Sequence, residues 1–475
     1  MPKPSIRRPF GGFCMMLAGI MTVASASSHA DQAVEAPIPA DVASAVRLPA
    51  GFSLNVFARV NPGEGYFSGP RMMAFGPDGN LYLTTGMGGQ VLMLPDRDKD
   101  GKADETVVVA DKLNAPNGIV FVDKQLLVAN QDGVVRLEQQ GGKWPASKAQ
   151  PIISGLATGG HTLKTIRQGP DGYLYLNVGS SCNVCVEQDP SRAAILRYTV
   201  DGKPAGALVT LGRHAQSAVW ASGLRNSQGF AWHPQTQAMF ATNNGADMRS
   251  ETRGGRVNDD IPPEHLNQIE SGKNCWGQRV PDPNFEGPSG FCDAMQPPAI
   301  TFDAHSTPLG ITFLNQSGFP RDYQQDAIVA LHGSWNRVTP SGYKLVRVKF
   351  KQNQPVEVTD FATGWLQGNA AWGRPVDTLI GPDGALYVSD DRSGLVYRIQ
   401  VIVFNEGKYH ETQTAFTLLA GCRAFAGASH GTGRRSGRQA SRYADLHQSA
   451  GIPAPDQALA VLQRLLVYPG PGSRA

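Results

Sequence analysis

Four short segments carry side chains able to take a proton or hold an anion. They are Gly159-Gly160-His161-Thr162, Gly223-Leu224-Arg225-Asn226-Ser227-Gln228-Gly229, His305-Ser306-Thr307-Pro308 and Trp372-Gly373-Arg374-Pro375-Val376-Asp377. Histidine is the side chain whose ordinary pKa suits a general base near neutral pH. Two arginines are fixed cations that can grip carboxylates or steady a developing negative charge. The set suits proton abstraction beside a polyanionic ligand. Taken singly, each residue has a plainer reading. A lone histidine in a β-rich chain is more often a hydrogen-bonded structural residue, Arg225 can pair with Asp247, and Arg374 with Asp377. His233, in a turn, and His265, in an insertion, read as structural. What separates His161, Arg225 and Arg374 is a shared place, just before equivalent strands of a repeat.

Two further clusters invite chemistry. Asp96, Asp98 and Asp100 stand at alternate positions before Gly101, with Asp104 and Glu105 following. Such spacing can converge on one hard cation, so a structural calcium is predicted against a solvated charged turn; the bidentate glutamate of an EF-hand is missing, its place taken by Val107. Cys182 and Cys185 form a Cys-x-x-Cys that could be a zinc half-site, a redox pair or a local staple. No second such pair exists and no thioredoxin-like pattern surrounds it, so a structural disulfide is predicted. Cys275 and Cys292 flank a Gly/Pro-rich loop and are expected to pair.

The elements that must position these residues follow from a recurring pattern: a turn, a short apolar strand, a Gly/Pro/Asp turn and an alternating strand. It starts at Pro70, Pro116, Leu163, Ser227, Pro308 and Pro375, at spacings of 46, 47, 64, 81 and 67 residues. Pro-Asp-Gly presets one turn dihedral and supplies a residue tolerant of positive φ. Leu-Tyr-Leu or Leu-Tyr-Val after it alternates as a half-buried strand does. Hairpin repeats of roughly 40–50 residues are the signature of propeller blades. The fold predicted is all-β, a six-bladed β-propeller over 48–400, with insertions building one mouth.

Composition bounds the rest. The chain has 475 residues, 54 of them glycine and 34 proline, and a formal charge of +3. Residues 401–475 hold eight Lys/Arg and four Asp/Glu, leaving 35 basic and 36 acidic residues before them. A near-neutral body argues against a nucleic-acid footprint. Residues 1–30 read as a signal peptide: Arg7 and Arg8 lead an apolar run from Phe13 to Ala24, and Ser28-His29-Ala30 offers a cleavage site. Arg7-Arg8-Pro9-Phe10 is also weakly similar to a twin-arginine signal. Residues 31–47 form a lead-in. No later segment reads as transmembrane, so an exported, periplasmic protein is predicted. Residues 401–475 break the pattern and read as a poorly ordered tail or an out-of-frame end. Cys422 and His430 lack the Cys-x-x-Cys-His of a c-type haem site, so no covalent haem is expected.

Between about Leu48 and Ile399 the chain resembles the pyrroloquinoline quinone (PQQ)-dependent sugar dehydrogenases of the glucose/sorbosone dehydrogenase family. Gly160-His161-Thr162, Val178 through Cys185, Arg192 through Ile195, Leu224 through Gly229, Asn243 through Asp247, His332 through Arg337 and Gly373 through Asp377 carry the resemblance, closest to the sorbosone branch. It implies that His161 is the base that takes the substrate hydroxyl proton while hydride passes to PQQ. It implies that Arg225 contacts the reacting quinone oxygen, with Asn226 beside it as a cofactor contact. Gly245 and Ala246 match backbone carbonyls that ligate a catalytic calcium. Arg374 matches an arginine that binds PQQ carboxylates, and Arg337 falls near a cationic group of the fifth blade. Ser180 departs from the aspartate that orients the histidine in soluble glucose dehydrogenases, which favours a sorbosone-like sugar or aldehyde over glucose. An electron acceptor, quinone or cytochrome, is implied.

Two other functions fit a propeller. Calcium-dependent lactonases share the fold but rely on carboxylate and asparagine side chains around the metal. A non-enzymatic binding propeller would have no need of His161.

Overall fold

Pro-Asp-Gly turns set the hairpins. Gly79, Gly172 and Gly384 adopt φ of 77°, 81° and 75°, a region costly for residues with a Cβ. In each turn the aspartate also accepts a hydrogen bond from a tyrosine on the returning strand: Tyr82 to Asp78 (2.8 Å), Tyr175 to Asp171 (2.8 Å) and Tyr387 to Asp383 (3.1 Å). The computed structural model describes residues 33–61, 65, 67–206, 217–273 and 296–402. The signal peptide, Cys275, Cys292 and residues 403–475, with Cys422, lie outside them.

Among the described residues the strands assemble into six four-stranded antiparallel sheets and one small three-stranded one. Their first strands are Met73–Phe75, Gly118–Val122, Ile166–Gln168, Phe230–Trp232, Pro308–Phe313 and Pro375–Ile380. The first five sheets are built from consecutive strands. The sixth takes its outer strand from the other end of the unit: Phe52–Arg59 pairs with Leu395–Val401, from Phe52↔Val401 to Arg59↔Leu395. Val34–Glu35 joins Leu366–Gln367 and Ala370–Ala371 in a small three-stranded sheet.

Apolar clusters fill each junction between consecutive sheets. Leu127 and Ala129 of the second sheet meet Ile166 and Leu174 of the third. Phe57 and Tyr387 of the sixth meet Met73 and Leu83 of the first, so the sheets close a ring. Tyr82 packs on Phe121 and Tyr175 on Trp232 with ring centroids 5.0 and 5.2 Å apart. Burying apolar area, these rings included, stabilises such junctions. The first strands crowd together around the ring's axis. A Cβ on Gly229 would strike the Leu309 carbonyl, and one on Gly118 the backbone of Thr165 and Ile166. Across the axis Arg167 reaches Asp377 at 3.1 Å, and Asp377 also accepts from the Met73 amide.

This connectivity decides where chemistry can gather. Each first strand begins, and each second strand ends, at the same side of its sheet. Residues just before the first strands and just after the second strands therefore meet around one opening.

Candidate active site

At that opening lies a cavity of about 420 Å³. His161, Arg225, Asn226, Gly245 and Arg374 all line it. So do Gln228 and His305, from two of the four segments named above, and Arg71, Asn244, Asp247, Glu264 and His332, to which the sequence alone assigns no site role.

His161 precedes the third sheet's first strand, and Ser180 follows its second. The His161 amide bonds to the Ser180 carbonyl at 3.0 Å. Its Nδ1 lies 2.9 Å from Ser180 Oγ and 3.1 Å from Ser180 O. Ser180 Oγ gives its only proton to the Cys182 carbonyl, 2.7 Å away. Both Ser180 oxygens therefore face Nδ1 as acceptors, Nδ1 carries the hydrogen, and Nε2 keeps its lone pair. A serine thus fixes the tautomer without a carboxylate. Burial, and then the Arg225 charge, lower the imidazole pKa to about 4, so the ring is neutral and able to accept a proton at ordinary pH.

Arg225 is held on several sides. It bonds Asn183 O (3.0 Å), Asn183 Oδ1 (2.8 Å), Asn244 O (3.4 Å) and Asp247 Oδ2 (2.7 Å). The ion pair with Asp247 and a place on the cavity wall thus coexist. Asp247 in turn accepts from Asn336 at 2.9 Å. Asn226 is anchored through its amide to Asn243 Oδ1, 3.1 Å away.

Arg374 does not pair with Asp377. Asp377 turns to the axis, where it bonds Arg167 and the Met73 amide. The buried Arg374 guanidinium bonds only backbone carbonyls, those of His332 (3.1 Å), Gly333 and Ser334 (3.5 Å). Among the described residues no carboxylate bonds it. A buried cation so placed is a standing site for an anion.

Arg71 is fully buried beside it, bonded to Asp391 (2.6 Å), Asn117 (2.9 Å) and Gln228 (3.0 Å). His332 Nε2 meets the other Asp391 oxygen at 2.9 Å. Burial alone would raise the Asp391 pKa, but His332 and the two arginines hold it well below the usual carboxylate range. Burial keeps His332 itself down to about 4.

Gly245 and Ala246 follow the fourth sheet's second strand, Met239–Asn243. Their carbonyl oxygens accept no hydrogen bond among the described residues, and the buried Asn244 Oδ1 has no partner. Glu264 stands behind, accepting from the Gly245 amide at 2.5 Å. Burial raises its pKa to about 8. Unpartnered hard oxygens suit calcium. The three guanidiniums of Arg71, Arg225 and Arg374, with Asn226 and Gln228, suit a polycarboxylate. The donor set therefore fits both PQQ and its metal.

Arg337 lies outside the cavity lining. Its guanidinium is occupied by Asp260 (2.9 Å), Ala304 O (3.0 Å) and Thr339 O (3.0 Å), which leaves it a loop anchor. His233 caps its own turn, accepting from the Gln235 and Thr236 amides at 3.3 Å each. His265 belongs to the strand Glu264–Ile269 and is buried there, not in an insertion. Cys182 and Cys185 are joined in a disulfide. Asp96, Asp98 and Asp100 bring carboxylate oxygens within 4.8 Å of one another, and Asp96 Oδ1 is buried without a partner. Among the described residues no helix is long and apolar enough to cross a membrane.

A family model described as "Domain of unknown function (DUF7133)" matches residues 39–415. An uncharacterized protein of Borreliella burgdorferi is 25% identical over 382 residues, covering 76% of this chain and 92% of the relative. A pyrroloquinoline quinone-dependent pyranose dehydrogenase of Coprinopsis cinerea is 25% identical over 403 residues, covering 72% of this chain and 53% of the relative, so the chain spans about half that relative's length. Among solved structures, the holo form of the pyranose dehydrogenase PQQ domain from Coprinopsis cinerea superposes with a TM-score of 0.60 at 22% identity, covering 75% of this chain and 97% of that one. The calcium structure of a Trichoderma reesei enzyme of carbohydrate-active family AA12 gives 0.62 at 19% identity, covering 78% and 100%. At these identities the structural likeness speaks for the fold.

Proposed function

The chain belongs to the DUF7133 family, whose description assigns no activity, and from that premise we propose that it is a PQQ- and calcium-dependent oxidoreductase acting on a sugar or sugar-derived aldehyde. The observation that carries this reading is the neutral His161, its Nε2 lone pair free, in one cavity with a buried arginine bonded to no carboxylate. The pyranose dehydrogenase relative supports it. In this reading the six sheets are the blades of a six-bladed β-propeller.

Arg374 and Arg71 bind carboxylates of the cofactor, with Asn226 and Gln228 at its edge. Gly245 and Ala246 offer their carbonyl oxygens to calcium. Bound PQQ supplies a two-electron acceptor for the substrate hydride, and calcium the Lewis acid that polarises it. His161 Nε2 takes the proton of the substrate hydroxyl, which for an aldehyde is a hydroxyl of its hydrate. Ser180 holds the ring in the tautomer this requires. Arg225 places positive charge where negative charge develops. The serine orienter favours a sorbosone-like aldehyde over glucose. Export to the periplasm and reoxidation by a quinone or cytochrome complete the proposal. A second, structural calcium at Asp96, Asp98 and Asp100 is supported by the unpartnered Asp96 oxygen.

Adding PQQ and calcium to protein purified without cofactor should give sugar- or aldehyde-dependent reduction of an artificial acceptor. No PQQ-induced absorbance change, and no turnover across a broad panel of sugars and aldehydes, would overturn the reading. Metal-dependent lactone hydrolysis without PQQ would replace it with the lactonase one.

A further inference from the structure

No regular strand orients His161 or Arg225. Both are reached instead by one short loop, residues 182–185, closed on itself by the disulfide. At its start the Cys182 carbonyl takes the Ser180 hydroxyl proton, which turns the Ser180 lone pairs toward His161 Nδ1. At its tip Asn183 uses its carbonyl and both ends of its amide. Its carbonyl accepts from Arg225 Nε (3.0 Å), and its Oδ1 from Arg225 Nη2 (2.8 Å) and the Asp247 amide (2.8 Å). Its Nδ2 donates to the Asp247 carbonyl (2.9 Å). Past the tip, Glu187 ties the loop down by accepting from the Ser181 amide (2.6 Å) and hydroxyl (2.8 Å). Arg192 reaches back to the Gly159 carbonyl, beside His161, at 3.2 Å.

Asn183 is exposed, and so contributes little to the core. Its bonds nevertheless join it to residues 42 and 64 positions away, both on the cavity wall. A four-residue loop free at both sulfurs would have to pay the rotational entropy of ordering every one of these bonds; cross-linking removes much of that cost in advance.

We propose that the Cys182–Cys185 loop is the positioning device for the base and the arginine together. Cys182, through Ser180, sets the tautomer of His161; Asn183 sets the plane of the Arg225 guanidinium; and the disulfide keeps the two in register. This rests on the reading of His161 as base, but one of its tests needs neither cofactor nor substrate.

The variants are Cys182→Ala/Cys185→Ala and Asn183→Ala. In cofactor-free protein the His161 imidazole is titrated by NMR. Arg225, Asp247 and Glu187 are the charged groups that act on it, Arg225 lowering its pKa and the two carboxylates raising it. Opening the loop admits water and releases Arg225, so the His161 titration should rise by about one pH unit or more in the double variant. In PQQ-loaded enzyme Asn183→Ala should lower kcat by about ten- to a hundredfold with KM changed by less than about threefold. Thermal unfolding should stay close to that of the parent. Should the double variant fail to fold, phosphine reduction of the folded parent, followed by the same titration, takes its place. An unmoved titration together with an unmoved kcat overturns the proposal. A moved titration in protein that PQQ never activates sustains the loop's role and refutes the oxidoreductase reading instead.

Discussion

At the hairpin ends of the first, third and sixth sheets the same bond recurs, tyrosine to turn aspartate, at 2.8, 2.8 and 3.1 Å. At the opposite ends the side chains vary. The first offers Arg71, the third His161, the fourth Arg225 and Asn226, the fifth His305 and the sixth Arg374. Repetition at one end gives three of the six sheets the same hairpin. Variation at the other, on similar supports, brings arginines from the first, fourth and sixth sheets and histidines from the third and fifth to the same opening. A substitution at the hairpin end should therefore act mainly on stability, and one at the cavity end mainly on chemistry.

The sharpest test of that division is His161→Ala. It should lower kcat by about 10²–10⁴-fold while thermal unfolding barely moves, since the ring bonds a loop and not a sheet. Next comes Arg374→Ala, which removes the cation that no carboxylate bonds. PQQ binding, followed by titration, should weaken about a hundredfold, and Arg374→Lys should recover only part of it because a point charge cannot reproduce the planar fork.

The pH dependence is a smaller effect. With the His161 pKa at about 4, the acid limb of the rate profile should fall near pH 4, and the rate at pH 5 should match that at pH 7. Stability follows the same groups. His161 and His332 titrate near 4 when folded but near 6.5 when unfolded. Between those values the unfolded chain binds protons that the native one refuses. Their contribution is intact above about pH 6.5 and is lost as pH falls toward 4, which denaturant titrations at pH 7 and pH 5 will measure. The smallest effect belongs to the hairpin end: Tyr175→Phe should cost about 1 kcal/mol of stability and leave kcat and KM unchanged. A change in turnover there would break the division.

Much of this was legible in the sequence because turn chemistry is local. The repeats starting at Pro70, Pro116, Leu163, Ser227, Pro308 and Pro375 lie within three residues of the six first strands. The strand Phe52–Arg59 was not legible as part of the sixth sheet; its alternation shows a strand, but its partner stands at the far end of the unit. The site divided in the same way. His161, Arg225 and Arg374 were found because they precede first strands. His332 and Asp391 follow second strands, a place that frame did not include. Arg71 had a signal that went unused: Gly69-Pro70-Arg71 opens the first repeat much as Gly373-Arg374-Pro375 opens the sixth. Glu264 gave no local sign, because its role depends on lying behind Gly245, nineteen residues earlier.

The pairing of Phe52–Arg59 with Leu395–Val401 bears on how the chain reaches its fold. Five sheets can form from neighbouring strands as soon as each stretch is made. The sixth must wait for residues near 400, whatever the state of the rest. The entropic cost of that long closure grows only by about 0.6 kcal/mol for each doubling of loop length, so the delay falls on rate rather than on final stability. Until the last strand arrives, the early one is an unpaired edge open to other chains. A nascent polypeptide of this design therefore carries its aggregation hazard from the emergence of Phe52–Arg59 until Leu395–Val401 is made.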